Sequence, residues 1–307
     1  MSAWFECFDT KCAQCLPELS VLREEPMRAH TTFRIGGSAR RMACVRGGEE
    51  LSALLTLVHE EGYPYLLLGN GSNLLVSDAG IDALVIHTGE MQQIELVDEH
   101  TLWAQAGVSL AKLAVFAMKH SLTGLEFAHG IPGSLGGAVC MNAGAYGGEM
   151  SQVIESVTAW LPGKGECRMT PDELALSYRH TYFTDHEGVV LGATLRLRNG
   201  VEPEIRAQME DLIGRRKDKQ PLEYPSAGSF FKRPEGHFAG ALIEQCGLKG
   251  LTIGGAQVSE KHAGFIINTG NATCADVLAL MKRVQEIVHT QTGVMLEPEV
   301  RMIGRMD

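Results

Sequence analysis

The chain has no apolar run near the roughly 18–20 residues that a membrane-spanning helix needs, so no span is expected. It also has no basic excess: 27 Lys and Arg stand against 37 Asp and Glu, a formal net charge of −10 over 307 residues. General nucleic-acid binding rests on surplus cations that neutralise phosphates, and that class is disfavoured. The N-terminus, Met1-Ser-Ala-Trp-Phe-Glu6, lacks a basic segment followed by an apolar one. No secretory leader is therefore expected, and the expected location is the cytoplasm. There is no internal repeat and no low-complexity tract. What remains is ordinary for a soluble globular protein, 45% hydrophobic and 21% charged, with length for two or three domains.

Several catalytic signatures are missing. Gly69-Asn-Gly71 is not followed by a third glycine or a helical pattern, so it is not a dinucleotide fingerprint of the Gly-x-Gly-x-x-Gly kind. No glycine loop ends in Gly-Lys-Ser/Thr, which excludes a P-loop, and no Gly-x-Ser-x-Gly elbow is present, which leaves serine-hydrolase chemistry unsupported. Eight cysteines are mostly scattered, as expected of reduced thiols in a cytoplasm. Cys7, Cys12 and Cys15 cluster, but no fourth ligand stands nearby except His30, so no metal is expected and an exposed N-terminal helical arm is the reading.

What is present is glycine in two unusual settings. Residues 130–148 hold seven glycines in nineteen positions, with no charge inside and with Ile, Leu, Val, Met and Tyr between them. A flexible linker would be polar. Such a stretch is ordered, either as tight turns in a β-rich domain or as backbone brought close to a large ligand. The second setting is Gly69-Asn-Gly-Ser-Asn73. It interrupts the apolar runs Tyr65-Leu-Leu-Leu68 and Leu74-Leu-Val76, and the strand is expected to resume after it. Backbone amides in such a concave turn bind anions, although Asn-Gly is also an ordinary hairpin turn.

Periodicity gives a coarse order of elements. Amphipathic helices are expected at residues 49–62, 110–119, 203–219, 238–246 and 275–290. Strands are expected at 64–68, 84–86, 95–97, 102–104, 153–161, 189–197, near 253, at 264–268 and at 294–303. The fold class is α+β. Residues 1–28 read as an extension, and composition changes near Asn199-Gly200, which divides the remainder into 29–199 and 200–307.

Three segments could carry chemistry. Arg179, in Leu176-Ser-Tyr-Arg-His180, is either an anion ligand or half of a structural ion pair. Ser229 lies in Tyr224-Pro-Ser-Ala-Gly-Ser-Phe-Phe-Lys-Arg-Pro234. A serine hydroxyl is so weak an acid that it can give a proton only to a strongly basic carbanion or enolate. In Leu296-Glu-Pro-Glu-Val-Arg301, Glu297 and Glu299 share one side of the expected strand, as a general acid and its neighbour or as a solvated edge.

Taken together these segments resemble the UDP-N-acetylenolpyruvoylglucosamine reductases, the MurB family of peptidoglycan synthesis. The matching stretches begin at Thr31-Thr-Phe-Arg-Ile-Gly-Gly37 and continue through Gly69-Asn-Gly-Ser-Asn-Leu-Leu75, Gly130-Ile-Pro-Gly-Ser-Leu-Gly-Gly-Ala138 and Met141-Asn-Ala-Gly-Ala-Tyr-Gly-Gly-Glu149. Ser177-Tyr-Arg179, Gly228-Ser-Phe-Phe-Lys-Arg-Pro234 and Glu299-Val-Arg301 follow in the same order. The chain looks like the shorter form of the family, without an inserted tyrosine loop. It departs at Thr181, where serine is expected and the hydroxyl survives, and at the cysteine-bearing arm, which has no counterpart.

The resemblance implies a vanillyl-alcohol-oxidase-type (PCMH-type) FAD-binding fold of two subdomains, about 29–90 and 91–199, plus a substrate domain at 200–307. It implies noncovalent FAD, with NADPH as cosubstrate and a UDP-sugar, UDP-N-acetylglucosamine enolpyruvate, as the molecule reduced. Flavin reduced by NADPH would pass a hydride to the terminal enolpyruvyl carbon. Arg34, Gly69, Asn70, Gly71, Ser72, Asn73, Pro132, Gly133, Ser134, Gly137, Asn142, Ala143 and Gly144 would hold the cofactor. Ser229 would protonate the second carbon, while Arg179 and Glu299 would stabilise the enolic carboxylate. Tyr224 and Lys232 would contact the UDP group. The protein is expected to be a monomer. Two other readings stay open: an oxidase of the same fold that returns electrons to oxygen, and a nonenzymatic flavin- or nucleotide-binding module.

Overall fold

The computed structural model describes residues 4–306. The chain forms two compact units, each assembled from separate segments. The first takes residues up to 22, then 41–70 and 83–215; the second takes 23–40, 71–82 and 216 onward. The chain changes unit inside the loop at residues 69–73, between Asn70 and Gly71.

The first unit has two cores. One is built on a five-stranded antiparallel sheet whose order is Gly165–Met169, Ile154–Leu161, Val189–Arg196, Thr101–Gln105, Ile94–Asp98. Leu102, Ala104, Val157, Ala159, Ala193 and Leu195 alternate with less buried neighbours and point into it. The helix Leu110–Lys119 covers this core with Leu110, Leu113, Ala114, Ala117 and Met118. It starts where Ser109 Oγ accepts the Lys112 amide at 3.2 Å, a side-chain cap that satisfies an otherwise orphan donor.

The other core lies around the helix Gly48–Glu61 and the parallel pairing of Tyr65–Leu68 with residues 84–87. The N-terminal segment belongs to it. Expected as an exposed arm, the helix Trp4–Cys15 instead places Phe8 in this core, fully buried beside Tyr63, and buries Cys12. Arg41 clamps the same helix through a two-pronged ion pair with Asp9, both bonds 2.7 Å. The rest of the extension includes the strand Ser20–Pro26.

The second unit carries an antiparallel sheet ordered Ser226–Ser229, Phe265–Asn268, Ala256–Val258, Thr252–Ile253. Against it lies the helix Cys274–Thr292, burying Val277, Leu280, Met281, Val284 and Val288. Thr273 and Asp276 form a reciprocal capping box at its start, and Gly293 ends it at φ +76°. Asp78 adds two more acceptor bonds, to the amides of Cys274 and Ala275 at 2.9 and 3.1 Å.

Two expectations about strands are corrected. The apolar runs on either side of Gly69-Asn-Gly-Ser-Asn73 are not one interrupted strand: Tyr65–Leu68 pairs with residues 84–87, whereas Leu74–Val76 pairs in parallel with Arg301–Ile303. The C-terminal strand is also shorter than 294–303. Only Arg301–Ile303 is extended in a ladder, preceded by a single bridge between Phe231 and Pro298. Pro298 has no N–H to donate, so a regular ladder cannot run through it.

Candidate active site

In the first unit the two glycine settings meet. Asn70 donates its side-chain amide to the carbonyl of Pro132 at 3.3 Å. A Cβ on Gly69 would fall 2.2 Å from Ser134 Oγ, so only glycine allows that approach. The residues between Ile131 and Ala143 are not all loop: Leu135–Cys140 forms a short helix that sequence periodicity did not reveal. Its first amides are spent on the neighbouring chain, Leu135 to Val108 O and Gly136 to Ala106 O, both at 2.8 Å.

Four glycines of the stretch divide into two kinds, and Gly147 is set apart by its left-handed φ of +86°. Gly136, Gly144 and Gly148 are needed by the protein's own packing: a Cβ would lie 2.9 Å from Ala106 Cβ, 2.8 Å from Gly148 O and 2.5 Å from the Phe127 ring, respectively. Gly137 is different. It is exposed within the helix, and the nearest atom to an added Cβ is Ser134 Oγ at 3.6 Å. Glycine there costs the helix about 1 kcal/mol against alanine, with no packing reason in return. A position kept bare at such a cost fits a ligand that occupies the space a Cβ would fill.

Asn142 links this stretch to Arg179. It sits at φ +40° and is 2% exposed, with both ends of its amide engaged. Nδ2 donates to Ser177 O at 3.1 Å, and Oδ1 accepts the Ser151 amide at 2.9 Å. One donor and one acceptor of this amide are thus committed to the protein's own backbone. Ser177 and His180 close a tight turn by exchanging backbone bonds of 3.0 and 3.2 Å. Arg179 occupies that turn at φ +55°, with its guanidinium 5.5 Å from the Tyr178 ring centroid. Thr181, fully buried, ties the end of the turn to Cys140 O at 3.0 Å, so the hydroxyl in place of the expected serine is in use.

In the second unit Ser229 and Glu299 come together. Gly228 at φ +80° and a break in strand register between Ser226 and Ser229 leave Ser229 exposed at the end of its strand. Buried Phe230 and Phe231 follow and anchor it. Glu299 donates its amide to Phe230 O at 2.8 Å, and Lys232 donates its own to Glu297 O at 2.8 Å. Asn73 then fixes Glu299 from the other side, donating to its carbonyl at 3.2 Å and accepting from the Arg301 amide at 3.0 Å. Glu297 and Glu299 are not equivalent. The Glu297 side chain is 70% exposed and pairs with Lys232 at 3.3 Å, whereas Glu299 is half-buried.

The remaining predicted residues of this unit lie as follows. Gly71, at φ +59°, would bring a Cβ 2.1 Å from His30 O, and its carbonyl accepts the Thr32 amide at 3.2 Å. Arg34 is exposed at φ +56° between buried Phe33 and Ile35. Ser72 is half-buried, and Tyr224 is exposed in the turn after Pro221. Among the described residues no group of three or more His, Cys, Asp and Glu could hold a metal, and no helix is long and apolar enough to cross a membrane.

Residues 39–170 match a family profile described as an FAD-binding domain, and residues 220–303 match the C-terminal domain of UDP-N-acetylenolpyruvoylglucosamine reductase. The UDP-N-acetylenolpyruvoylglucosamine reductase of Caldanaerobacter subterraneus subsp. tengcongensis is 47% identical over 96% of this chain and 97% of its own length. The chain belongs to the UDP-N-acetylenolpyruvoylglucosamine reductase family. The reductase of Agathobacter rectalis is 51% identical over 94% of the chain and 96% of its own length. Among solved structures, the reductase (MurB) of Thermus caldophilus superposes with a TM-score of 0.79 at 37% identity, covering 94% of this chain and 99% of that one. The fold is thus the α+β fold of the MurB reductases, with an FAD-binding domain. The first profile spans both glycine settings and ends before Arg179, and the second spans Ser229 and Glu299.

Proposed function

We propose that this chain reduces UDP-N-acetylglucosamine enolpyruvate to UDP-N-acetylmuramate at the expense of NADPH, with noncovalent FAD, in the cytoplasm and as a monomer. Bound FAD would supply the two-electron transfer from NADPH to the enolpyruvyl double bond. The residues that would hold it are those of the two glycine settings, with Arg34. The bare position at Gly137 and the close approach at Gly69 support that fit.

The chain's own residues account for the charge and the proton. Addition at the terminal carbon leaves negative charge on the second carbon and its carboxylate. In this proposal Arg179 meets the carboxylate with a fixed, planar, fully charged guanidinium, held on a turn that Asn142 tethers. Glu299, fixed through its backbone to Phe230 and Asn73, stabilises the enolic form. Ser229 delivers the proton to the second carbon, a transfer that needs a base as strong as the enolate formed there. Lys232 and Tyr224 take the UDP group. In domain terms, residues 29–199 serve the flavin and 200–307 serve the substrate.

The observation that carries the reading is the shared ladder of Ser229 and Glu299: two residues 70 positions apart, Ser229 next to Phe230, whose carbonyl binds the Glu299 amide. The test is the purified protein's visible spectrum together with NADPH oxidation followed with and without the enolpyruvate. Flavin absorption and enolpyruvate-dependent oxidation are expected. Equal oxidation without the enolpyruvate would establish an oxidase instead. Ser229→Ala is expected to keep flavin reduction by NADPH near the parent rate and to slow reoxidation by the enolpyruvate; equal loss in both halves would remove Ser229 as the proton donor. Gel filtration with light scattering tests the monomer.

A further inference from the structure

Ser229 pairs across the sheet with Phe265, and the loop at residues 259–264 leads into that partner. Nothing in the proposed reaction uses this loop, which is closed by its own side chains. Ser259, 1% exposed, accepts the amides of Lys261 and His262 at its Oγ, both at 3.2 Å. The His262 carbonyl accepts the Phe265 amide at 3.0 Å, and the Phe265 carbonyl accepts the Ser259 amide at 2.9 Å. His262 Nδ1 accepts the Gly264 amide at 3.1 Å. The carbonyl of the same glycine accepts the amide of Phe230, the residue after Ser229, at 2.8 Å. One ring nitrogen therefore holds the residue to which the end of the Ser229 strand is bonded.

That bond fixes the state of the ring. A backbone amide can only donate, so Nδ1 keeps its lone pair and Nε2 carries the proton. A charged imidazole has N–H at both positions, and its Nδ1–H would face the Gly264 N–H. The surroundings favour the neutral form. The ring meets Phe265 edge to face at 5.0 Å, and its Cε1 stands 3.3 Å from the place of a Cβ on Gly240, in the helix Ala239–Gln245. Burial first, with a smaller push from Lys249, holds the imidazole below its ordinary value, against a backbone bond of its own residue and the charge of Glu244. Glu244 and Lys249 are themselves paired at 2.6 Å. On the ring's own loop Lys261 pairs with Glu223 at 3.7 Å, and Glu260 turns toward Gly250.

We infer that His262 is a positioning residue for Ser229: by accepting the Gly264 amide at Nδ1, its neutral ring sets the backbone that carries the Ser229 hydroxyl. This rests on Ser229 being the proton donor. His262 acts through the backbone and moves no proton itself. Its loss frees the Gly264 amide and loosens the bond to Phe230, so transfer from Ser229 slows while flavin reduction does not.

The test separates the acceptor atom from the ring. Asparagine places an amide oxygen where Nδ1 stands and does not titrate; phenylalanine keeps a ring and offers no acceptor. Each full-length flavoprotein is reduced with NADPH and reoxidised with the enolpyruvate in a stopped-flow instrument. His262→Phe should slow reoxidation on the order of tenfold and His262→Asn should stay within about threefold of the parent, with reduction unchanged in both. Parent reoxidation should also fall as pH drops below the ordinary imidazole value of about 6.5, where Nδ1 takes a proton, and His262→Asn should lack that fall. In a Ser229→Ala background His262→Phe should add less than about twofold, because both act on one transfer. Parent-like reoxidation by His262→Phe, equal slowing of both half-reactions, or the same acid fall in His262→Asn would overturn the inference. If His262→Phe yields no folded protein, the pH comparison of parent and His262→Asn decides alone. Unchanged reoxidation in Ser229→Ala would instead fail the proton-donor reading itself.

Discussion

Asn142→Ala is the most searching perturbation of the proposed site, because Asn142 joins the flavin stretch to the turn that carries Arg179. Its side chain makes two bonds to backbone groups, at 3.1 Å to Ser177 O and 2.9 Å from the Ser151 amide. Truncation leaves both groups unpaired in a partly buried setting, at about 1 kcal/mol each, the low end of the range for unsatisfied groups. The backbone adds to this. Asparagine tolerates φ +40°, whereas alanine there costs roughly 1 kcal/mol more. The sum is about 3 kcal/mol, a large share of the 5–15 kcal/mol that holds a typical domain together. For a protein of this size that corresponds to roughly 6–12 °C in Tm, at about 2–4 °C per kcal/mol. Calorimetry of the flavoprotein reads this directly. The functional consequence is separate: with the Ser177–His180 turn untethered, Arg179 loses its fixed position, so reoxidation of reduced flavin by the enolpyruvate should slow more than reduction by NADPH. A melting temperature within 2 °C of the parent, with both half-reactions unchanged, would refute the reasoning.

Other expectations follow from single positions. Gly71→Ala should abolish soluble folded protein, since its Cβ would stand 2.1 Å from a backbone oxygen at a left-handed φ; expression and circular dichroism check it. Gly137→Ala should raise helix stability by up to about 1 kcal/mol while weakening FAD retention, and a variant that gains stability without losing FAD would show that the bare position is not part of the cradle. Phe8→Ala should cost about 3–5 kcal/mol in urea unfolding, as for a core aromatic, whereas an exposed arm would give almost nothing. Burial, then the charge and hydrogen bond of Glu187, push the Tyr65 phenol up to about 12. The folded state keeps this proton where an unfolded chain loses it near pH 10, so the associated stability is complete below pH 10 and is lost as pH rises toward 12. Glu187→Gln should lower the phenolate midpoint seen by ultraviolet absorbance; an unmoved midpoint would remove the charge effect.

Much of the secondary structure was legible because its causes are local. The helix Leu110–Lys119 combines a serine cap with an apolar face at helical spacing, and Cys274–Thr292 has a capping box, an apolar stripe and a terminal glycine. The alternation expected at residues 189–197 is not seen: Val189–Arg196 is buried at every position but Thr194 and Arg196, so both faces of that strand are covered. The short helix Leu135–Cys140 was not legible, because two glycines in six residues oppose helix propensity; contacts of its first amides with Ala106 and Val108 decide its conformation. The C-terminal strand was over-read because Glu297, Glu299 and Arg301 alternate correctly while the proline between them limits pairing.

The sequence by itself determined the family and, through it, the chemistry, since ordered motifs from Thr31 to Arg301 are specific as a set although each glycine loop alone is weak. It also determined that the glycine stretch is ordered, because apolar residues between the glycines demand burial. Only the tertiary structure decided what each glycine is for. Neighbours distant in sequence crowd Gly69, Gly136 and Gly148, the facing hairpin strand crowds Gly144, and no such neighbour stands against Gly137. The same holds for the partnerships that position the site. Asn142 finds Ser177, Asn73 finds Glu299, and Phe8 finds Tyr63 across gaps of 35, 226 and 55 residues. No periodicity reports such contacts, because they are set by how the sheets and helices pack rather than by the order of residues along any one of them.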